Sequence, residues 1–371
     1  MSLPDIRIHP LRIPLRAAFE HAGASRDIGE SVLVHLYDAE GFQGAGEGCP
    51  RSYVSGETVD SCIAFFNQYR ESIRCLADVK SLRLWISGHR QEIDANPAAF
   101  CAMETAWLDY HARRRGVSLE ELLELPSLAG CYRYSAVLGS SRAETFSAML
   151  EAYQQRGFVD YKVKLFGDPA IDGFNTGRIR DVLDGSNSLR FDANNNWDCA
   201  EEAAEYMTHL NIGQHPLEEP LKPGSFDAMR KLQGRLATRI ILDESCRSRD
   251  DLENIACDPH RWIVNIRVSR MGGILRSLEI ARTVADCGIP LIVGAQVGET
   301  SLLTRAALTV ANAFRPHILF QEGGFGTQLL AYDIVTPSLM FDDSGLLCAS
   351  HTLRVTRLNL PDAFSDQTTA R

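Results

Sequence analysis

Several absences narrow the field before any motif is read. No apolar run approaches the roughly 18 residues that a bilayer-spanning helix needs, and the N-terminus has no basic block followed by an apolar one. A cytoplasmic protein with no membrane partner is expected. Dense basic runs are missing apart from Arg113-Arg114-Arg115, and acidic residues outnumber basic ones to give a formal net charge of -10. Nucleic acid wants a basic face, so no nucleic-acid partner is expected. The arginine triplet closes a helical pattern, where positive charge suits a helix end. None of the ten cysteines forms a C-x-x-C pair, which argues against a zinc ribbon or a dithiol redox motif. Their scatter, at Cys49, Cys62, Cys101, Cys199 and Cys257 among others, suggests free thiols in a reducing compartment.

What is present fits a sizeable enzyme. The 371 residues suit a barrel of about 250 residues plus a second module. Asp5–Leu15 and Ser31–Tyr37 alternate apolar and polar residues as strands do, and Phe42–Glu47 continues the meander after a turn at Asp38–Gly41. Phe19–Asp27 and Gly48–Glu57 are small and polar and read as loops. Helical spacing follows over Thr58–Ser72, and more strongly over Pro97–Arg115. Residues 1–130 therefore read as an α+β capping domain.

From Tyr132 the texture changes to short apolar strands alternating with amphipathic helices. The strands are Tyr132–Leu138, Tyr161–Leu165, Leu189–Asp192, Pro216–Glu218, Arg239–Asp243, Trp262–Ile266, Pro290–Gly294 and Ile318–Gln321. Eight βα units predict an α/β barrel, a modified TIM barrel, over 131–326. The alternation then stops. The segment 327–371, with a turn at Asp342-Asp343-Ser344-Gly345, is expected to return to the capping domain.

In such a barrel the active site lies at the C-terminal ends of the strands, so the polar residues there carry the argument. The second strand offers Lys162 and Lys164, two apart and on one side. The third ends in Asp192 with Asn194 beyond it, the fourth in Glu218-Glu219, the fifth in Asp243-Glu244, and the sixth in Asn265 and Arg267. Asp192, Glu218, Asp243 and Arg267 follow one another at intervals of about 25 residues, the length of one βα unit, so they belong at one height on adjacent strands. A single strand-end Asp is an ordinary helix cap. Three carboxylates in register would repel one another without a cation, and an all-oxygen set selects a hard ion such as Mg²⁺, with Mn²⁺ as an alternative. Two neighbouring ammonium groups lower each other's pKa, which can make one a base near neutral pH. A metal holding a substrate carboxylate would stabilise the dianion left when the α-proton departs. Glu219 and Glu244 read as partners behind the ligands, as a minor ligand, or as caps.

These motifs resemble the enolase superfamily, and within it the muconate lactonizing enzyme group of the mandelate racemase/muconate lactonizing enzyme family. The resemblance runs over nearly the whole chain. It rests on Gly44-Ala45-Gly46-Glu47, Met103-Glu104-Thr105-Ala106-Trp107-Leu108-Asp109, Tyr161-Lys162-Val163-Lys164, Phe191-Asp192-Ala193-Asn194, Glu218-Glu219-Pro220 and Asp243-Glu244-Ser245. Each motif alone is weak; the ordered set is specific. The resemblance implies one Mg²⁺ on Asp192, Glu218 and Asp243, a small-molecule carboxylate substrate, Lys164 as base and Lys162 tuning it or touching the carboxylate. It implies that the Phe19–Asp27 and Gly48–Glu57 loops close over the site, with His21, Arg51 and Tyr53 as candidate substrate contacts. It also implies a homo-oligomer, a dimer or an octamer.

The chain departs from the group at Asn265-Ile266-Arg267-Val268-Ser269-Arg270-Met271-Gly272-Gly273, where Arg267 stands in the position of a second catalytic lysine. Arginine stays protonated and is a poor base. It can still stabilise an enolate, hold a carboxylate in two hydrogen bonds, or stack on a ring. The seventh strand, Leu291-Ile292-Val293-Gly294-Ala295-Gln296, has no histidine, which excludes the mandelate racemase branch. Gln296 is a further candidate contact; Glu299 reads as a partner for Arg267 and Glu322 as a partner for a cationic substrate group, or each as a cap. The leading expectation is a muconate cycloisomerase-like isomerase or lyase: Lys164 removes the proton α to a carboxylate, and elimination or cycloisomerisation follows. The alternative is an amino-acid or dipeptide racemase or epimerase. A Schiff-base aldolase on Lys162 or Lys164, and a metal-binding protein without turnover, are the rivals from other classes.

Overall fold

The N-terminal alternation folds as an antiparallel sheet of β1 (Asp5–His21), β2 (Ala24–Tyr37) and β3 (Gln43–Gly48). The computed structural model describes residues 3–21, 24–350 and 357–358, with side chains described for 3–16 and 26–350. Of Phe19–Asp27, expected as a loop, residues 19–21 belong instead to β1 and 24–27 to β2, where Phe19 pairs with Arg26 and His21 with Ala24. Alternation marks a strand only where one face is buried, and small, polar residues at a hairpin end carry no such mark. Residues 49–57 carry no helix or strand, as their composition suggests.

Five helices follow: α1 (Val59–Arg74), α2 (Val79–Gly88), α3 (Arg90–Ala95), α4 (Pro97–Arg115) and α5 (Leu119–Leu122). Helix α4 has Pro97 in its first turn, and Gly116 ends it in the left-handed region. The Glu57 carboxylate also accepts from the Ala98 and Ala99 N–H groups at its start. Strand β3 lies directly on α4. Its glycines 44, 46 and 48 alternate along one face, and a methyl group at 46 would overlap Thr105 Oγ1 and the Ala102 carbonyl. Gly46→Ala is therefore expected to destabilise the protein by about 3 kcal/mol through overpacking, read as a lowered urea midpoint. An unchanged midpoint would show that the sheet can lift off α4.

The barrel strands are β5 (Ala136–Leu138), β6 (Asp160–Lys164), β7 (Ser188–Asp192), β8 (Leu217–Glu218), β9 (Ile240–Leu242), β10 (Trp262–Ile266), β11 (Leu291–Val293) and β12 (Ile318–Gln321). They form one parallel sheet in chain order. The Ser135 N–H donates to the Gln321 carbonyl (2.8 Å), so the first and last edges meet and the sheet curls into a modified (β/α) barrel. The first expected strand, Tyr132–Leu138, is two: β4 (Gly130–Arg133) precedes β5 and pairs outside the barrel. Helices α6 (Ala143–Gln155), α7 (Pro169–Val182), α8 (Ala200–Leu210), α9 (Phe226–Leu236), α10 (Val268–Met271), α11 (Ile274–Asp286) and α12 (Ser301–Ala313) connect the strands. Between β9 and β10 two short 3-10 turns stand in for a helix. Glu104, buried on α4, accepts from the Ile274 and Leu275 N–H groups and so ties α4 to the start of α11.

Beyond the barrel, β13 (Val335–Thr336) pairs with β15 (Arg357–Leu358), and β14 (Leu346–Ala349) pairs antiparallel with β4. Leu330 bridges to Leu15, and Leu330 and Ile334 pack with Leu11, Ile13 and Leu33 of the first sheet. The β4–β14 register sets Cys131 opposite Cys348, and the two form a disulfide across 217 residues of sequence. The reading of scattered free thiols is corrected for this pair: antiparallel pairing brings together cysteines that spacing cannot connect. Among the described residues no helix is long and apolar enough to cross a membrane.

Candidate active site

The strand register lines up the residues singled out from the sequence. Lys164 pairs with Asp192, and Asp192 with Glu218, across three adjacent strands. Asp243 follows β9, and Asn265 lies near the end of β10. These ends open into a cavity of about 550 Å³ whose polar lining includes Lys162, Lys164, Asp192, Asn194, Glu244, Arg267, Gln296 and Glu322. Tyr53, Val54, Met149 and Phe325 add apolar wall. The volume suits a small organic molecule.

The two lysines have different surroundings. Lys162 Nζ lies 3.1 Å from Asp192 Oδ2, 2.9 Å from Glu218 Oε1 and 3.2 Å from Glu322. Burial opposes its charge, but these three carboxylates outweigh burial and raise its pKa. It is a fixed ammonium. Lys164 donates to Asn194 Oδ1 at 3.4 Å. Burial lowers its pKa; Lys162 and Arg267 add to the effect against the pull of Asp192. Its stem passes over Gly139, where a Cβ would come within 2.8 Å of Lys164 Cδ. Only glycine leaves that path open.

The carboxylates are buried. Asp192 Oδ1 accepts from the Asn194 N–H, and Lys162 and Lys164 overcome burial to hold its pKa low. Asn194 takes a left-handed backbone (φ 46°), which turns it back toward the strand end. Burial pushes the Glu218 pKa up to about 8 despite Lys162, and its Oε2 has no hydrogen-bond partner. Asp243 accepts from Arg270 on Oδ1 and from Arg267 on Oδ2. Glu219 faces away from the cavity: its carboxylate accepts from the Asp243 and Ser245 N–H groups and the Ser245 hydroxyl, fixing the turn after β9. Glu244 lines the cavity, with burial and Asp243 raising its pKa to about 7.

The donor chemistry fits a hard divalent cation: three buried carboxylates at neighbouring strand ends, one with an unpartnered oxygen. As placed, no group of three Asp, Glu, His or Cys side chains among the described residues is arranged to hold an ion. The three carboxylates are tied instead to cationic side chains: Asp192 and Glu218 to Lys162, and Asp243 to Arg270 and Arg267, which also lies 3.6 Å from Glu218 Oε1.

The other sequence candidates separate into groups. Tyr53 lines the cavity, half exposed, with Arg26 over its ring at 5.0 Å. Gln296 accepts from Arg267 Nη1 at 3.4 Å. Arg51 does not line the cavity: its guanidinium donates to the carbonyls of Glu30, Pro50 and Val297, clamping the 49–57 segment to the barrel. Glu299 makes no ion pair with Arg267; it accepts from the Gln296 N–H at 2.6 Å, and burial raises its pKa to about 8. Glu322 lines the cavity and is bound there by Lys162 and Arg190. The His21 side chain lies outside the described residues.

Sequence reasoning missed Arg190 and Arg270. Arg190 is fully buried and donates to Glu322 Oε1 (2.7 Å) and Ser135 Oγ (3.1 Å). It sits two residues before Asp192, the same spacing that singled out the two lysines. Arg270 follows Arg267 by three residues and had no such signal.

Comparison with known proteins adds a second line. Residues 145–349 match the family model described as enolase C-terminal domain-like. The chain is 27% identical over 353 residues to the L-Lys-D/L-Arg epimerase of Methylococcus capsulatus, covering 93% of this chain and 96% of the relative. A solved dipeptide epimerase from the same organism, complexed with Mg and the dipeptide L-Arg-D-Lys, superposes with a TM-score of 0.81 at 26% identity, covering 97% of this chain and 99% of that one. The N-succinyl Arg/Lys racemase of Bacillus cereus superposes with a TM-score of 0.82 at 20% identity, over 100% and 99% of the two chains. These relatives are epimerases and racemases, and none of them supports the narrower muconate-lactonizing assignment.

Proposed function

The chain belongs to the enolase C-terminal domain-like family, and from that premise we propose that it removes the α-proton of an amino-acid residue carried in a dipeptide or an N-acyl derivative, as an epimerase or racemase. The observation that carries this reading is Lys164: a buried amine of lowered pKa, on the cavity wall beside a carboxylate cluster. Lys164 takes the proton; Asn194 and the Gly139 gap set its direction. Lys162 stays charged and holds Asp192, Glu218 and Glu322 in place. Asp192, Glu218 and Asp243 are the side chains that would hold Mg²⁺, which when bound supplies positive charge to the substrate carboxylate and so eases loss of the neighbouring proton. The likeness to epimerases and racemases supports the alternative, epimerisation, over elimination and cycloisomerisation.

Arg267 favours a second reading. It occupies the place of a second base, and the carboxylates Asp243 and Glu244 keep it protonated against burial. One-base chemistry, in which Lys164 takes the α-proton, the Cβ–X bond breaks with its electrons and the ammonium of Lys164 can return the proton to the departing group, needs no second base. An epimerase would need a proton delivered on the face opposite Lys164, and Arg267, which stays protonated, is not the base that would take it back.

Deuterium distinguishes the two. In D₂O with Mg²⁺, dipeptides and N-succinyl amino acids are expected to acquire deuterium at the α-carbon and to appear as both epimers. Label confined to one epimer, or release of a β-substituent, would move the assignment to one-base elimination. No exchange across either library would sink both readings.

A further inference from the structure

Asp243 is the one expected metal ligand with both carboxylate oxygens already taken by guanidinium groups. The two arginines are held differently. Arg270 has a side chain only 1% exposed and also donates to the Asn265 carbonyl at 2.8 Å, so it is built into the wall. Arg267 borders the cavity, its Nε has no partner, and its other hydrogen bond is the 3.4 Å contact to Gln296. Its guanidinium has open volume on one side and the Asp243–Glu218 edge on the other. Asp243 and Glu218 are two of the side chains that would hold a divalent ion; Lys162 already stands 2.9 Å from Glu218 Oε1, so an ion held there would add its repulsion to that between the two side-chain cations, and Arg267, at the cavity border, is the one with open volume to move into.

We infer that Arg267 is a tethered cation that competes with the divalent metal for Asp243 and Glu218, so that metal binds only as Arg267 swings from Asp243 into the cavity. The inference rests on the metal reading of the previous section and deepens it: it assigns a role to the residue by which this chain departs from the two-lysine pattern. Competition of this kind is reciprocal. Metal displaces Arg267 by the same factor with which Arg267 weakens metal. The geometry of the fork matters. A guanidinium reaches Asp243 while lying near Glu218 and Gln296; a lysine in its place brings a single point charge and a weaker hold.

The test is Mn²⁺ titration of the full chain, followed by the free-ion electron paramagnetic resonance signal, for the native chain, Arg267→Gln, Arg267→Lys and the double variant Asp192→Asn/Glu218→Gln. Arg267→Gln is expected to bind Mn²⁺ on the order of tenfold more tightly than the native chain, with Arg267→Lys between them. Equal or weaker binding by both Arg267 variants, with binding still lost in the double variant, overturns the competition and leaves the metal site standing. Binding no tighter in the native chain and Arg267 variants than in the double variant overturns both. Near-ultraviolet circular dichroism identifies a variant that has not folded, and Arg267→Lys, which keeps the charge, then decides alone.

Discussion

Lys164→Ala is expected to lower α-hydrogen exchange by roughly 10²–10⁴-fold, the usual contribution of a positioned general base. The loss should fall on kcat with little change in KM, because Lys164 contributes to the moment of proton transfer more than to ground-state binding. The pH profile carries a second expectation. A lysine base acts in its neutral form, so the rate rises with pH through its pKa. Burial and the nearby Lys162 and Arg267 charges lower that pKa against the pull of Asp192, so the rising limb should lie below the ordinary lysine value of about 10.4. In Lys164→Ala the limb should disappear. Added methylamine should restore part of it, because the substitution opens room beside Gly139 for a small amine. A merely structural lysine would not be rescued in this way. Exchange undiminished in Lys164→Ala would remove the base assignment, whatever became of the metal site.

The residues by themselves do not separate the two lysines; only the family resemblance distinguishes them in the sequence. Spacing placed Lys162 and Lys164 on one side of one strand, which is all that a period of two conveys. Their roles separate because Lys162 meets Glu218 and Glu322, residues 56 and 160 positions away, while Lys164 meets Asn194 near the end of the neighbouring strand. The eight barrel strands and the register of Asp192 against Glu218 were readable for a local reason: each strand is a short apolar run ending in a polar residue, repeated at one period. Arg267 was visible as an odd residue in a familiar frame, yet its hold on Asp243 depends on the reach of a side chain across strands. The Cys131–Cys348 pair and the Arg190–Glu322 pair depend on closure of distant segments, which no local pattern encodes. Arg51 misled for the opposite reason. A charged residue in a polar loop looks like a substrate contact, and here it supplies the backbone clamp that such a loop needs to keep its shape.

Glu322→Ala should destabilise the protein by about 3–5 kcal/mol, the usual cost of leaving a buried charge without its partner. Arg190 is wholly buried, stacked on Phe320 at 4.4 Å, and among the described residues Glu322 is the one carboxylate ion-paired with it; its Nε and Nη1 already lack partners. Lys162 would keep Asp192 and Glu218, so the loss belongs mainly to Arg190. Urea unfolding measures the effect, and Arg190→Met/Glu322→Leu separates the pair from its parts. Removing both charges should recover most of the stability, since an apolar pair of similar volume often replaces a buried ion pair without penalty. The pH dependence has a definite sign. Burial alone would raise the Glu322 pKa, but Lys162 and Arg190 outweigh it and hold it well below the ordinary carboxylate range. A carboxyl depressed on folding contributes its full stabilisation above its unfolded pKa of about 4.3 and loses it as the pH falls from there toward the folded value. The gap between the native chain and Glu322→Ala should therefore be constant near neutrality and narrow below about pH 4. A gap that stays constant as the pH falls would show that the carboxylate charge is not what holds Arg190, and that the loss in Glu322→Ala comes from the cavity the shorter side chain leaves.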